Sequence, residues 1–282
     1  MKRKAVIIGC ALIAGLLAAC SDDAHQGGKD AGATGLTGVD GLGGIGGNTF
    51  NQCGVAAPKP SDSGNCTAVS APAIADFDDY APGTSAGAYT YQVGGKLGAI
   101  LHIDDGSGSN GGTSVISTEM VTGEGNAGYA VQIADSNAVN WGGILLFYFP
   151  SGTTPTCLNA PAYTGVEFSI KGSAPSGKIA VNLGMLDTIA VADHGLCDNA
   201  TAADCKNANI EWPLPSDPAA WAHVQVPWSA FTPGIGSGRA CVPVTGQNIV
   251  QLAIQPLMSY PPPDYTLAPG PYTIAVDNVR FY

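Results

Sequence analysis

The stretch YTIAVDNVRFY, Tyr272 to Tyr282, is an apolar run with an acid, Asp277, in its middle. A second such stretch, IADFDDY, Ile74 to Tyr80, opens the part of the chain that can fold. Both have strand composition, rich in β-branched and aromatic residues. Between them lie further short runs of the same kind, separated by turn residues. Ala88–Val93, Ala99–Ile103 and Gly128–Ile133 come first, then Gly143–Phe149, ended by Pro150. Gly165–Lys171 alternates with Val166, Phe168 and Ile170 on one face, and Lys178–Leu183 does the same. Ala222–Pro227 and Ile249–Gln255 complete the set. No stretch carries a helical stripe ten residues long. With 39 glycines and 20 prolines punctuating the chain, the reading is all-β, an antiparallel sandwich.

The start of the chain reads differently. Lys2, Arg3 and Lys4 precede an apolar run, Ala5 to Ala19, that is short for a membrane span and has the layout of an export signal. Its end, Leu17-Ala18-Ala19-Cys20, resembles the bacterial lipobox. That resemblance implies a signal peptide over residues 1–19 and acyl chains, palmitate among them, on Cys20. Each buried methylene of an acyl chain adds roughly 0.8 kcal/mol to membrane attachment. Ser21, rather than Asp, implies sorting to a bacterial outer membrane. Residues 20–48 follow as a Gly-rich tether without an aromatic residue. Residues 49–73 are expected as a disulfide-stapled collar, and 74–282 as the sandwich.

Export also explains the cysteines. With Cys10 in the signal and Cys20 lipidated, six remain, an even number that fits three disulfides. Fifteen pairings are possible. Nearness in sequence favours Cys53–Cys66 and Cys197–Cys205, leaving Cys157–Cys241. Without its signal cations the chain has 8 basic against 22 acidic residues, which excludes the basic footprint of a nucleic-acid binder.

Three stretches together resemble the galactose-binding-like jelly roll of carbohydrate-binding modules. They are IADFDDY, TGVEFSIKG (Thr164–Gly172), and the pairing of WAHVQVPWSAF (Trp221–Phe231) with IAVDNVRF (Ile274–Phe281). The resemblance implies a jelly-roll β-sandwich whose first and last strands lie side by side. It also implies a structural Ca²⁺ held there by Asp78 and Asp277, with Asp76 a weaker third. Carboxylates brought together repel unless a cation lies between them. Acids on a solvated turn and a sheet edge are the alternative.

A sugar ring stacks its apolar face on Trp or Tyr and leaves its hydroxyls to short polar groups. Trp141, in SNAVNWGG, is the first candidate platform, with a core position as the alternative. Tyr148 lies between Phe147 and Phe149 and faces out if those two face in. Tyr91, Tyr163 and Trp212 are further candidates, and Glu167, on one face with Lys171, is a candidate to hydrogen-bond hydroxyls, with a solvated sheet face as the alternative. No GxSxG, no HExxH and no evident pair of carboxylates marks an enzyme. The expected partner is therefore a polysaccharide or cell-surface glycan, with the membrane on the other side of the tether. A glycan-degrading enzyme on the same membrane is a possible companion. A structural or adhesive sandwich without sugar is the competing reading.

Overall fold

The structure is a computed structural model that describes residues 66–78, 89–92, 100–104, 117–138, 143–149, 157–191, 195–198, 205–257 and 270–282. The expected signal, lipidation site Cys20 and tether lie outside these residues, as do Cys53 and Trp141. In chain order the strands are β1 (Thr67–Ala68), β2 (Ala73–Ala75), β3 (Tyr89–Gln92), β4 (Ile100–Asp104), β5 (Ser117–Thr122) and β6 (Tyr129–Ala138). Next come β7 (Ile144–Tyr148), β8 (Leu158–Asn159), β9 (Gly165–Ser173), β10 (Lys178–Met185) and β11 (Ala208–Pro213). The last are β12 (Ala222–Pro227), β13 (Gly234–Ile235), β14 (Cys241–Val242), β15 (Ile249–Pro256) and β16 (Gly270–Phe281). No α-helix occurs among the described residues, and none there is long and apolar enough to cross a membrane.

Two sheets face each other. In one, β15 is central: β10 pairs with it on one side and carries β11, while β7, β4 and β3 follow on the other. The short β8 and β1 continue beside the start of β15. The second sheet runs β12-β9-β16-β6-β5. The opening strand β2 pairs with β16 there, Ala75 opposite Val279, so the first-strand and last-strand acids come to one edge. The architecture is an all-β jelly-roll sandwich.

Alternation makes the core. Val166, Phe168 and Ile170 of β9 point the same way, as strand geometry requires. With Val131, Ile133, Ile274, Val276 and Phe281 they meet Leu145, Phe147, Ile179, Val181, Leu183, Leu252 and Ile254 of the β15 sheet, in one cluster with almost no solvent exposure. The long run of β7 is apolar because its strand has neighbours on both sides. Besides the two-residue strands, β5 and β11 are absent from the sequence reading, and both lie at edges. STEMVT and ANIEWP need only a few buried residues there, so their alternation is weak.

The disulfides differ from the expected pairing. Cys197–Cys205 forms, but Cys66 bonds Cys157, not Cys53, so Cys157–Cys241 does not form either. Cys241 is also disulfide-bonded. The reason is register: β1 lies parallel to β8 with Thr67 opposite Leu158, which sets Cys66 beside Cys157 across 91 residues of sequence.

A second, smaller apolar cluster lies on the outer face of the β15 sheet. Leu186, Ile189, Val250 and Cys157 are buried in it, and Tyr148 and Cys66 pack against it. It roots a lobe that leaves β10 at Leu186 and is braced by the Cys197–Cys205 bridge and by Leu196 N–H donating to Leu186 O at 2.7 Å.

Candidate functional site

On β10 and β15 the residues that alternate with the core point to the outer face. They are Asn182, Gln251, Ala253 and Gln255, with Ala180 and Gly184 between them. Asn209 of β11 stands opposite Asn182, and Glu211 stands opposite Ala180. On the far side of β15, Tyr148 is opposite Gln251 and Leu146 opposite Ala253. This side of the sheet thus carries four side-chain amides, Asn182 and Asn209 partly exposed and Gln251 and Gln255 buried with Ala253 between them, and one half-buried tyrosine ring at the lobe end. Each amide can donate and accept hydrogen bonds, which is what vicinal hydroxyls require. Lys178 and Glu211 close one corner as an exposed ion pair at 2.9 Å.

The outer face of the β16 sheet holds the acids. Asp277 is buried, 3% exposed, between the core residues Val276 and Val279. Its Oδ2 accepts the Glu124 N–H at 2.9 Å, and its Oδ1 accepts the N–H of Asn278 at 2.7 Å. Ser169 donates to Glu124 Oε2 at 2.5 Å, and Asp78 Oδ1 accepts the Tyr129 N–H at 3.2 Å. Gly128, at φ +60°, permits this approach, since a Cβ there would lie 1.6 Å from Asp78 Oδ1. Burial pushes the Asp277 carboxyl up. Its two backbone hydrogen bonds oppose that, but the negative charges of Asp78 and Glu124 add to it, and the net shift is upward. Asp76 serves the turn, where its Oδ1 accepts the Asp78 N–H at 3.4 Å.

The carboxylates of Asp78 and Glu124 beside the buried Asp277 are hard oxygen donors, the kind that Ca²⁺ prefers. Among the described residues no group of three or more Asp, Glu, His or Cys forms a metal centre by itself. A cation at this edge would therefore draw on backbone carbonyls as well.

Beside the acids sits a separate network. Glu167 of β9 is 4% exposed. It accepts from Gln225 Nε2 at 2.7 Å, lies 3.2 Å from His223 Nε2 and is paired with Arg280 Nε. Burial alone would raise its pKa; the hydrogen bonds from Gln225 and Arg280, and the charges of Arg280 and His223, outweigh burial and hold the carboxyl below its ordinary value. A lowered folded-state pKa means that the unfolded chain binds more protons in acid. The stabilisation is complete above the unfolded value, near pH 4.3, and is lost as pH falls through the folded value. Glu167→Gln should flatten the dependence of melting temperature on pH below about pH 5. An unchanged acid limb would remove Glu167 from this role.

Of the sequence candidates whose side chains are described, Tyr148 alone has its ring on the amide face. Glu167 is on the opposite sheet. Trp212 pairs with Ile179 and packs on the core, and Tyr163 stacks against Phe281, their ring centroids 5.7 Å apart. Tyr91 lies in β3, paired with Leu101. The amides were missed because an Asn or Gln in a strand has no signature of its own. Glu124 was missed as a loop acid, though its setting, GEGNAG, offers the glycines that close carboxylate–backbone contact needs.

No protein-family model matches the chain, and no curated protein does. Among solved structures it is similar to a family 11 carbohydrate-binding module of a cellulosomal cellulase of Clostridium thermocellum. The identity is 15%, covering 70% of this chain and 95% of that one, with a TM-score of 0.39. A family 30 module of another cellulosomal cellulase of Clostridium thermocellum is 13% identical over 75% of this chain and 95% of its own, at a TM-score of 0.37. A surface glycan-binding protein of Prevotella bryantii is 11% identical over 57% and 49%, at 0.33.

Proposed function

We propose that this chain is a surface lipoprotein that binds a polysaccharide across the outer face of the β15 sheet. The observation that carries the reading is that face: Asn182 and Asn209 stand opposite each other on neighbouring strands, partly exposed, and Gln251 stands opposite the half-buried Tyr148. Amides read hydroxyls, the ring takes the apolar face of a sugar, and small floor residues admit a flat ligand. The sequence adds Trp141 as a second platform, three residues before β7. It also supplies the lipobox at Cys20, which supports anchoring to a bacterial outer membrane, facing the periplasm or the cell surface. A glycan-degrading enzyme on the same membrane is the natural companion of such a binder. A structural Ca²⁺ held by Asp78, Glu124 and Asp277 with nearby carbonyls completes the reading. When bound, the ion supplies the positive charge that the buried Asp277 otherwise lacks from its acidic neighbours.

The test is a glycan array with the mature protein, beside a reducing-end assay on the same polysaccharides. Binding without new reducing ends is expected. Tyr148→Ala and Trp141→Ala should each weaken it by roughly 5- to 100-fold, since a stacked ring supplies about 1–3 kcal/mol, while the fold stays intact. New reducing ends would make the chain an enzyme. No binding by a folded protein would turn the reading to a structural or adhesive sandwich.

A further inference from the structure

Asn182, Asn209 and Glu211 differ from the buried glutamines of the same face. Asn182 and Asn209 are half-buried and stand directly opposite each other on β10 and β11, yet neither side-chain amide is hydrogen-bonded among the described residues. Both amides keep contact with solvent, so a ligand lying on the face can reach them. Glu211 follows Asn209 by two residues, and the pleat turns both to the outer face, about 6.5–7 Å apart along the strand. The Glu211 side chain is 49% exposed. Lys178 Nζ, from the neighbouring strand, donates to Glu211 Oε2 at 2.9 Å, and Oε1 has no partner among the described residues. Asn, Glu and Lys are depleted in strands, and an exposed ion pair adds little to stability. Folding alone gives no reason for these four side chains at one corner of the sheet.

We propose that Glu211 is a specificity-determining residue of the glycan face, its free carboxylate oxygen accepting hydrogen bonds from the hydroxyls of a neutral sugar unit that Asn182 and Asn209 hold from the other side. The proposal rests on the glycan reading above. A carboxylate accepts and does not donate, so it takes hydroxyl hydrogens. Hydrogen bonds to a charged acceptor are stronger than neutral ones. A sugar bearing its own carboxylate meets a like charge there and is turned away. The asparagine amides both donate and accept, and they lie one sugar's breadth from Glu211, so one unit meets all three side chains. Lys178 is a positioning residue: it acts by holding the Glu211 carboxylate over the face.

Calorimetric titration of the full mature chain with cellohexaose, laminarihexaose, xylohexaose, β-1,4-galactohexaose and hexagalacturonate tests this. Glu211→Gln keeps the shape and removes the charge. For each neutral hexaose that the wild type binds, it should lose about tenfold in affinity, about 1.4 kcal/mol, with its melting temperature unchanged. Lys178→Met should lose less, and adding it to Glu211→Gln should cost nothing further, because the lysine acts through the carboxylate. A merely structural pair would instead move the melting temperature and leave affinity alone. Affinity equal to wild type in Glu211→Gln overturns the role of Glu211 and leaves glycan binding standing. So does hexagalacturonate bound by the wild type as tightly as any neutral hexaose. Failure of the wild type to bind any of the five overturns both.

Discussion

Replacing Cys66 and Cys157 together by serine is expected to cost the domain roughly 4–5 kcal/mol. The cross-link spans 91 residues, and by chain entropy a closed loop of about 90–100 residues constrains the unfolded state by that amount. For a domain of this size the melting temperature should fall by roughly 8–20 °C. The same change at Cys197 and Cys205, eight residues apart, should cost only roughly 2–3 kcal/mol. That smaller loss should fall on the lobe, and so on ligand affinity as well. Calorimetry of the two double variants checks the ranking. Proteolysis without reduction should release a peptide joining Cys66 to Cys157. A peptide joining Cys53 to Cys66 would sink the pairing, and so would equal losses in the two variants.

The second large effect is expected from calcium. If the ion binds only the native state, saturation at 100 times its dissociation constant adds about 2.7 kcal/mol. The melting temperature should then rise by roughly 5–10 °C between chelator and calcium. Asp277→Ala should abolish the difference, because it removes the buried carboxylate around which Asp78 and Glu124 gather. Glu124→Gln should reduce it. In chelator the Ala variant should lose less than a buried, paired acid usually would, since Asp277 stands there among like charges. A wild type indifferent to chelator, or an Asp277→Ala variant with the full calcium response, would show that these acids hold no ion.

How much was legible beforehand follows from range. Alternation in Gly165–Lys171 and Lys178–Leu183 is set within one strand by the pleat, so a sequence suffices to assign it. The all-β class, the inward Val166, Phe168 and Ile170, and the outward Tyr148 all come from that local rule. The meeting of the acids at one edge was expected from resemblance of the end strands, and the β2–β16 pairing realises it. Pairing between distant strands follows no local rule. Cys66 finds Cys157 because β1 runs beside β8, and 91 residues of intervening chain leave no trace of that in composition. From sequence, Glu167 is either a hydrogen-bonding group for sugar hydroxyls or a solvated acid on the face it shares with Lys171. It is buried because Gln225 and His223 of β12 and Arg280 of β16 flank it, and neither neighbouring strand can be named from β9 alone. Trp212 looked like a platform and packs on the core, since its partner in register is Ile179. Sequence by itself determined the inward and outward faces of the strands that alternate cleanly. The tertiary structure decided which outward residues stand together, because that depends on strand order and register, fixed only when both sheets close on one core.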